Sequence, residues 1–414
     1  MDIDDRLESL LRNLRQAARS LCKTPAFTAT VVATLAIGIG ANSAVFSAID
    51  AVLLRPSPFP NSAQLVKLSQ KNPKSQDASV APPRLEDWNR LNSAFQAIAG
   101  YYTEDDSELS GELPEKLTRA LVTPRFLQVW GVAPAMGRDF TPQEEHFGGP
   151  NAVLISDRLW RRRFDANPGA VGKTLRIGSS SFPVIGVMPA SFLFPDRAVD
   201  LWSPNPMDAP YAQSRATGWF TTFGRMKPGV TLEQASANLA SVQANLGREF
   251  PKTDANVGVV VKPLKEATVA GVRRSLWMLF GSVSLLLLIA CTNIAALLLS
   301  RAAQRRHEIA VRFSLGASRA SVVAQLLTEV LVLALAGSAL GLAIAAEASR
   351  VFRALAKDLP RVEEIRLELG HRALFAGLRH RGHGSVRHFP RHPRHAAQSG
   401  RLAGAVWPIP SVKP

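Results

Sequence analysis

Cysteine, tyrosine and histidine are scarce in this chain of 414 residues, with two, three and eight copies respectively. Cys22 precedes the first long apolar run and Cys291 lies within the second, so the polar block between these runs has no cysteine. The fold of that block cannot depend on disulfides, and a zinc site built from several cysteine ligands is excluded.

Recognisable catalytic motifs are also missing. The segment "NPGAVGKT" matches the end of a phosphate-binding loop, but Asn167 stands where the pattern requires its first glycine. His146 is the one histidine of the polar block and lies beside two glutamates, a setting typical of a solvated loop. No Ser/His/Asp or paired-carboxylate arrangement stands out. We therefore predict that the protein is not an enzyme and uses no cofactor or metal ion.

Acidic residues are absent after Glu368, and this asymmetry accounts for much of the net charge of +16. Residues 371–414 form a basic tail that holds six of the eight histidines, without helical or strand periodicity and without interleaved aromatic residues. We predict a disordered tail rather than a nucleic-acid platform. Its composition is typical of a GC-rich gene read out of frame. Adventitious metal binding by its histidines and a genuine role in the protein are the alternatives.

Three long apolar runs are the main feature that the sequence does have, at residues 27–49, 276–299 and 330–346. About 20 apolar residues are needed for a helix to cross a membrane. The first two runs carry no charge, and the third extends back to Val322 with Glu329 as its one ionisable residue. We predict transmembrane helices at residues 26–54, 275–299 and 321–346.

Basic residues predict the orientation of these spans. The segment 1–25 and the loop 300–320 each carry five Lys or Arg residues, and short basic loops remain in the cytoplasm. The N-terminus is therefore predicted to be cytoplasmic and residues 55–274 to lie outside, because long loops are translocated largely regardless of charge. Cleavage of the first run as a signal peptide is the alternative, although its apolar stretch exceeds the usual core of about 7–15 residues.

The polar block alternates short strands with helices, which predicts an α+β domain in two subdomains. Strands are expected at residues 64–70, 118–123 and 257–264, a short helix at 124–130 and a hairpin at 173–189. Ser156 and Thr231 are predicted to cap two further helices. Helical spacing predicts one more helix over residues 84–100. The core residues expected on it are Leu85, Trp88, Leu91, Phe95 and Ile98.

Three separated segments carry a family resemblance: "TPAFTATVVATLAIGIGANSAVFSAIDAVLLRPSPFP" at 24–60, "VIGVMPASFLFP" at 184–195, and residues 285–345. They occur in the order and on the topology derived from hydropathy and charge. The chain resembles the permease subunits of MacB/FtsX-type ABC transporters, and among these the internally duplicated orphan permeases called ADOP. The likeness covers residues 20–369. Beyond it the chain departs from the family, as a truncated or frameshifted product would.

The resemblance implies a multi-pass α-helical protein of the bacterial inner membrane, here with three predicted spans and a large α+β periplasmic domain of MacB type. In the family, a separate cytoplasmic ATPase moves four spans and thereby the periplasmic domains, a mechanism called mechanotransmission that serves export or envelope remodelling. Residues 347–370 are predicted to form an extracytoplasmic segment, and the basic tail stands where the family would have a fourth span and then a second permease half. The expected partners are an ABC ATPase, a second permease half or homodimer, membrane lipid and a periplasmic partner.

The family's contact with its ATPase corresponds to residues 301–319 of this chain. There Glu308 and Arg312 form an i,i+4 pair, and Ile309 with Phe313 forms a small apolar face. A solvated basic loop is the alternative, but it explains the arginines and not the apolar face. The predicted coupling residues are Arg301, Arg305, Glu308, Ile309, Arg312, Phe313, Gly316 and Arg319.

Small residues in the first and third runs predict close helix contacts, either within the chain or between subunits. Asn42 and Glu329 are polar within hydrocarbon and are expected to face protein or water. The predicted packing residues are Gly38, Gly40, Asn42, Ser43, Gly337 and Gly341.

A second class of function is a membrane-anchored periplasmic binding or scaffold module that uses no ATP, which includes a non-functional truncated permease half. An ATPase bound through the loop 300–320 would favour the relay, whereas a periplasmic ligand without an ATPase would favour the second class.

Overall fold

The computed structural model describes residues 15–55, 57–110, 113–305, 310–311, 313–314 and 318–355. All of these belong to one of the chain's two compact units, Met1–Leu367. The basic tail at 371–414, with its predicted disorder and frameshift origin, lies outside the described residues.

Among the described residues, three helices are long and apolar enough to cross a membrane. The first span helix, Pro25–Ile49, continues as a short π-helix over Asp50–Leu54. The second is Leu264–Gln304 and the third is Arg319–Leu355. The second span helix begins well before the predicted span at 275, because the polar residues that precede the apolar run continue the same helix. Residues 15–22 are also helical.

The block between the first two span helices is the predicted α+β domain, with eleven strands and four α-helices among its described residues. Three single 3-10 turns, Ser62–Gln64, Pro168–Ala170 and Pro210–Gln213, connect them. In chain order the elements are β1 Leu65–Asn72, β2 Ser75–Ala78, α1 Pro82–Leu91, β3 Phe95–Glu108, β4 Glu115–Val122, α2 Phe126–Trp130, β5 Met136–Gly137, β6 Val153–Ile155, α3 Asp157–Phe164, β7 Thr174–Ile177, β8 Ser180–Val187, β9 Val199–Pro204, β10 Thr221–Met226, α4 Leu232–Glu249 and β11 Gly258–Pro263.

One sheet connects all of these strands, in the order β11-β1-β10-β3-β4-β9-β6-β8-β5, with β2 beside β1 and β7 beside β3 and β8. Most neighbours are antiparallel, and the β4–β9 and β6–β8 pairs are parallel. The two expected subdomains thus share a single mixed sheet. The predicted fold class, apolar spans with a large α+β domain, is confirmed.

Local signals predicted most elements correctly, with one error. Ser156 accepts a hydrogen bond from the Leu159 backbone, Thr231 forms a capping box with Gln234, and β7 and β8 form the predicted hairpin.

The predicted helix over residues 84–100 is wrong, because α1 ends at Leu91 and the chain continues into β3. Asn92 causes the turn: its side-chain amide donates to the Trp88 carbonyl at 2.7 Å, and its oxygen accepts from the Phe95 backbone at 2.8 Å. Leu91 is 41% exposed rather than part of the core. The buried members of the predicted set are Leu85, Trp88, Phe95 and Ile98.

The core of the domain divides into three apolar clusters. One lies around Trp130 and Trp202, a second around Trp88 and α4, and a third around α3 and the β7–β8 hairpin. Leu264, the first residue of the second span helix, is buried in the first of these clusters. The second span helix is therefore rooted in the core of the domain.

Candidate functional site

The two membrane helices that flank the domain are joined to neighbouring strands. The first span helix leads into β1, and β11 leads directly into the second span helix. Strands β1 and β11 are antiparallel and paired from Val66↔Pro263 to Lys71↔Gly258. A displacement of one helix against the other therefore acts on a single hydrogen-bonded strand pair.

Polar contacts tie the two connections together where they leave the helices. The Lys265 ammonium donates to the Leu54 carbonyl at 2.8 Å, which links the start of the second span helix to the end of the first. Arg55 pairs with Asp50 at 2.9 Å, one turn away. These contacts bring the domain-side ends of both helices into one assembly.

Arg225 fixes the connection between the first span helix and β1. Its side chain donates to the carbonyls of Val129 at 2.8 Å and Pro60 at 3.0 Å. It is 5% exposed, and burial lowers the pKa of its guanidinium. Within the described part of the chain it has no carboxylate partner. Its role in the structure is thus to hold the connecting segment against α2.

Glycines allow the first and third span helices to touch at their backbones. A Cβ atom added at Gly40 would lie 2.8 Å from the Gly341 carbonyl oxygen, and one added at Gly341 would lie 2.9 Å from the Ala36 carbonyl oxygen. A Cβ at Gly337 would lie 2.6 Å from the Cβ of Leu35. Larger residues at these positions would force the helices apart.

A polar contact joins the first and second span helices near their middle. The Asn42 amide donates to the Val283 carbonyl at 3.1 Å, and its oxygen accepts from the Ser284 hydroxyl at 3.0 Å. Asn42 therefore faces protein, as expected. A Cβ at Gly38 would lie 2.7 Å from a methyl carbon of Leu287 on the same interface, whereas the Ser43 carbonyl accepts from Ser47 within its own helix.

An ion pair between half-buried Arg305 and buried Glu329 joins the second and third span helices at their other end. Arg305 pairs with Glu329 at 3.2 Å and donates to the Ser20 hydroxyl at 2.8 Å. Arg301 donates to the Ser20 carbonyl at 3.4 Å and lies 4.6 Å from the centre of the Phe27 ring. Glu329 is 6% exposed. These residues, called the Arg305 cluster below, join residues 15–22 to all three span helices.

The predicted coupling residues are divided by the structure. Arg301 and Arg305 belong to the Arg305 cluster, Phe313 is 42% exposed, and Arg319 begins the third span helix. Ser318 caps this helix by accepting from the Ser321 backbone at 3.2 Å. Outside the described residues lie Glu308, Ile309, Arg312 and Gly316.

Sequence reasoning missed the pairing of Glu329 with Arg305 and the part played by Ser20. Glu329 alone carried a signal, because an acidic residue within an apolar run requires a partner.

Residues considered for chemistry are not assembled into a catalytic site. The segment "NPGAVGKT" runs from a 3-10 turn into β7 rather than into a helix, and Lys173 packs 5.5 Å from the ring centre of Phe164. His146 is exposed and lies 3.0 Å from Asp208, whose pKa it lowers by hydrogen bonding. In the described parts of the chain, no group of three metal-ligating side chains is placed to hold an ion.

Comparisons with known proteins give two family matches. A family described as the MacB-like periplasmic core domain matches residues 28–242, and one described as FtsX-like permease C-terminal matches residues 280–365.

Curated relatives include the macrolide export ATP-binding/permease protein MacB of Chromobacterium violaceum. It is 28% identical over 234 residues, which cover 55% of this chain and 34% of that protein. The protein of the same name from Burkholderia thailandensis is 27% identical over 236 residues, which cover 56% of this chain and 35% of that protein. The chain spans about a third of the length of these relatives.

Among solved structures, the periplasmic region of MacB from Actinobacillus actinomycetemcomitans is 18% identical, with a TM-score of 0.40. The match covers 53% of this chain and 97% of that one.

Proposed function

Because the chain belongs to the family of the MacB-like periplasmic core domain, we propose that it is a permease subunit of an ABC-type transporter in a bacterial inner membrane. It is not itself an enzyme in this proposal. A separate cytoplasmic ATPase supplies the energy, and the chain relays the resulting motion to its periplasmic domain for export or envelope remodelling.

The observation that carries this proposal is the attachment of the first two span helices to the paired strands β1 and β11. The two connections are tied by Lys265 and rooted in the core by Leu264. Since a hydrogen-bonded strand pair resists sliding, a change in the angle between the helices turns the domain rather than stretching a flexible linker.

The Arg305 cluster is the place where a force from the ATPase would reach the span helices. It joins all three span helices, and its Arg301 and Arg305 stand at the start of the segment 301–319 that the family resemblance assigns to ATPase contact. A push on that segment is therefore shared between the helices. Gly40 and Gly341 then keep the first and third span helices in register along the membrane.

A second permease half, or a second copy, is proposed to complete the transmembrane unit. Only 6% of the most apolar stretch of the second span helix is buried by the rest of the protein, whereas the buried share is 22% in the first span helix and 28% in the third. This helix offers the largest uncovered surface to another permease half and to lipid.

A binding module without ATP coupling is the second candidate function, and one feature of the domain favours it. An open cleft of about 660 Å³ is lined by apolar residues such as Met207 and Phe250 and by carboxylates such as Asp208 and Glu145. A periplasmic ligand bound there without any associated ATPase would support this alternative.

Topology is tested by labelling introduced cysteines with a membrane-impermeant thiol reagent in intact cells. We expect Ser110→Cys and Ser179→Cys to react, because the domain lies outside, and Ser314→Cys to remain unlabelled. Both native cysteines are replaced by serine first, and permeabilised cells serve as the control in which all three variants react. Labelling of Ser314→Cys in intact cells would overturn the orientation.

Coupling is tested with Phe313→Asp, which places a charge in the proposed apolar contact with the ATPase. We expect co-purification of the ATPase to fall, with a binding cost on the order of 2 kcal/mol. Membrane insertion should survive, because the residue lies outside the apolar spans. Ser314→Asp is the matched control, since the neighbouring side chain points in another direction from the helix and hydrogen-bonds the Val311 carbonyl. Unchanged ATPase recovery with Phe313→Asp would favour the solvated-loop alternative.

A further inference from the structure

Two arginines directly before the apolar stretch of the second span helix have no partner among the described residues. Arg273 and Arg274 are both exposed. Cations nearer the start of this helix are engaged, since Arg55 pairs with Asp50 and Lys265 donates to a backbone carbonyl. Positive charge is depleted where a span leaves the membrane on its translocated side. Two unpaired guanidinium groups at this level therefore indicate an anionic partner outside the chain.

The helix places these arginines directly beside an apolar surface. Ala270, Arg273, Arg274, Trp277 and Met278 line a shallow concavity of about 530 Å³ on one helix face. Their spacing of three and four residues aligns them along the axis. Trp277 is 49% exposed and Met278 is 57% exposed. We call this surface the Arg273–Met278 face.

Its depth matches the boundary between headgroups and hydrocarbon. The apolar run begins at residue 276, so a rise of about 1.5 Å per residue places the two arginines about 3–5 Å beyond it. Tryptophan favours the same boundary. Trp277 also packs edge to face against Phe280 at 6.0 Å, which holds its ring. Phosphate groups of the outer leaflet lie at the level of the guanidinium groups.

We propose that the Arg273–Met278 face binds an anionic phospholipid of the outer leaflet, with the phosphate on Arg273 and Arg274 and an acyl chain along Trp277 and Met278. Guanidinium groups bind phosphate oxygens by paired, charge-assisted hydrogen bonds. None of the lining residues is acidic, so an anionic lipid is favoured over a zwitterionic one. A second copy packed symmetrically on this face would bring like charges together.

The bound lipid would set the depth of the second span helix at the point where it enters the core of the domain. The inference rests on the membrane orientation proposed above, but it does not depend on an ATPase. Its test therefore uses the full chain alone, reconstituted in vesicles.

The test compares two sets of phosphatidylcholine vesicles that contain the same minor fraction of phosphatidylglycerol. Bromine, which quenches tryptophan, is carried by phosphatidylglycerol in one set and by an equal amount of phosphatidylcholine in the other. The signal of Trp277 is the difference between the protein and its Trp277→Phe variant. We expect stronger quenching by brominated phosphatidylglycerol, with an enrichment of about fivefold for each arginine.

In the double variant Arg273→Gln/Arg274→Gln, we expect the Trp277 fluorescence to be quenched equally in both sets of vesicles. The control Lys71→Gln/Lys252→Gln removes the same charge from exposed positions of the domain and should retain the preference. Equal quenching of the unmodified protein in both sets would overturn the proposal, as would loss of the preference in the lysine control. Displacement of the lipid by inorganic phosphate, at an ionic strength matched with chloride, would instead identify a site for soluble phosphate.

Discussion

Replacing Asp254 with Asn is expected to lower the free energy of unfolding of the periplasmic domain by about 3–5 kcal/mol, because it leaves a buried guanidinium without its counterion. The Arg84 and Asp254 side chains are 2% and 0% exposed, and the Arg84 Nε lies 2.6 Å from the Asp254 carboxylate. Arg215 approaches the same carboxylate at 3.1 Å. Urea unfolding of the full chain in detergent, followed by tryptophan fluorescence, measures the change.

Asp105→Asn is the matched control, because Asp105 pairs with Lys116 on the surface and the Asp105 side chain is 50% exposed. Exposed ion pairs contribute little to stability, so we expect the free energy of unfolding to fall by less than about 1 kcal/mol in this variant. If the free energy of unfolding fell equally in the two variants, burial of the Asp254 ion pair would add nothing to its contribution to stability.

The same pair predicts how stability responds to acid. Burial acts to raise the pKa of Asp254, but hydrogen bonds from Arg84 and Arg215 hold it well below its usual range. Since the pKa is depressed in the folded state, the stabilisation is fully present above the unfolded pKa of about 3.9 and is lost as pH falls through the folded value. The difference between the protein and Asp254→Asn should therefore be constant above about pH 5 and shrink below about pH 4.

Local patterns were sufficient to predict most of the fold. The caps at Ser156 and Thr231 and the β7–β8 hairpin depend on residues within a few positions of each other, and the sequence displays such neighbours directly. The failure at residues 84–100 has the opposite cause. Phe95 and Ile98 continue a helical spacing, but they are buried on β3 through pairing with β10, a strand more than a hundred residues away. Periodicity alone cannot choose between these arrangements.

Predictions for the site were limited in the same way. Small residues at Gly40 and Gly341 indicated helix contacts, but only the fold shows that these two glycines meet each other. Arg225, buried against Pro60 and Val129, carried no signal at all in the sequence. Its partners lie about a hundred residues or more from it along the chain. In the sequence, an arginine at an alternating position of a strand is indistinguishable from one that faces solvent.

Replacing Gly341 with Leu is expected to separate the first and third span helices, because its side chain would meet backbone atoms that cannot move aside. The nearest are the Ala36 carbonyl oxygen at 2.9 Å and the Gly40 nitrogen at 3.2 Å from the added Cβ. Overpacking typically costs about 1–3 kcal/mol, and a backbone obstacle places this variant at the upper end. By the size scaling of unfolding entropy, a chain of 414 residues should then lose about 3 °C of its thermal midpoint in detergent.

Gly281→Leu is the control for this prediction, since Gly281 lies within the second span helix and a Cβ added there meets nothing within 4 Å. Both variants add the same apolar side chain to a membrane helix, so they change hydropathy and helix propensity alike. Size-exclusion chromatography after heating compares their midpoints. A clear loss in Gly341→Leu with little change in Gly281→Leu assigns the effect to the helix contact. Equal losses would instead trace it to membrane insertion, and the backbone contact between Gly40 and Gly341 would then have no part in holding the spans together.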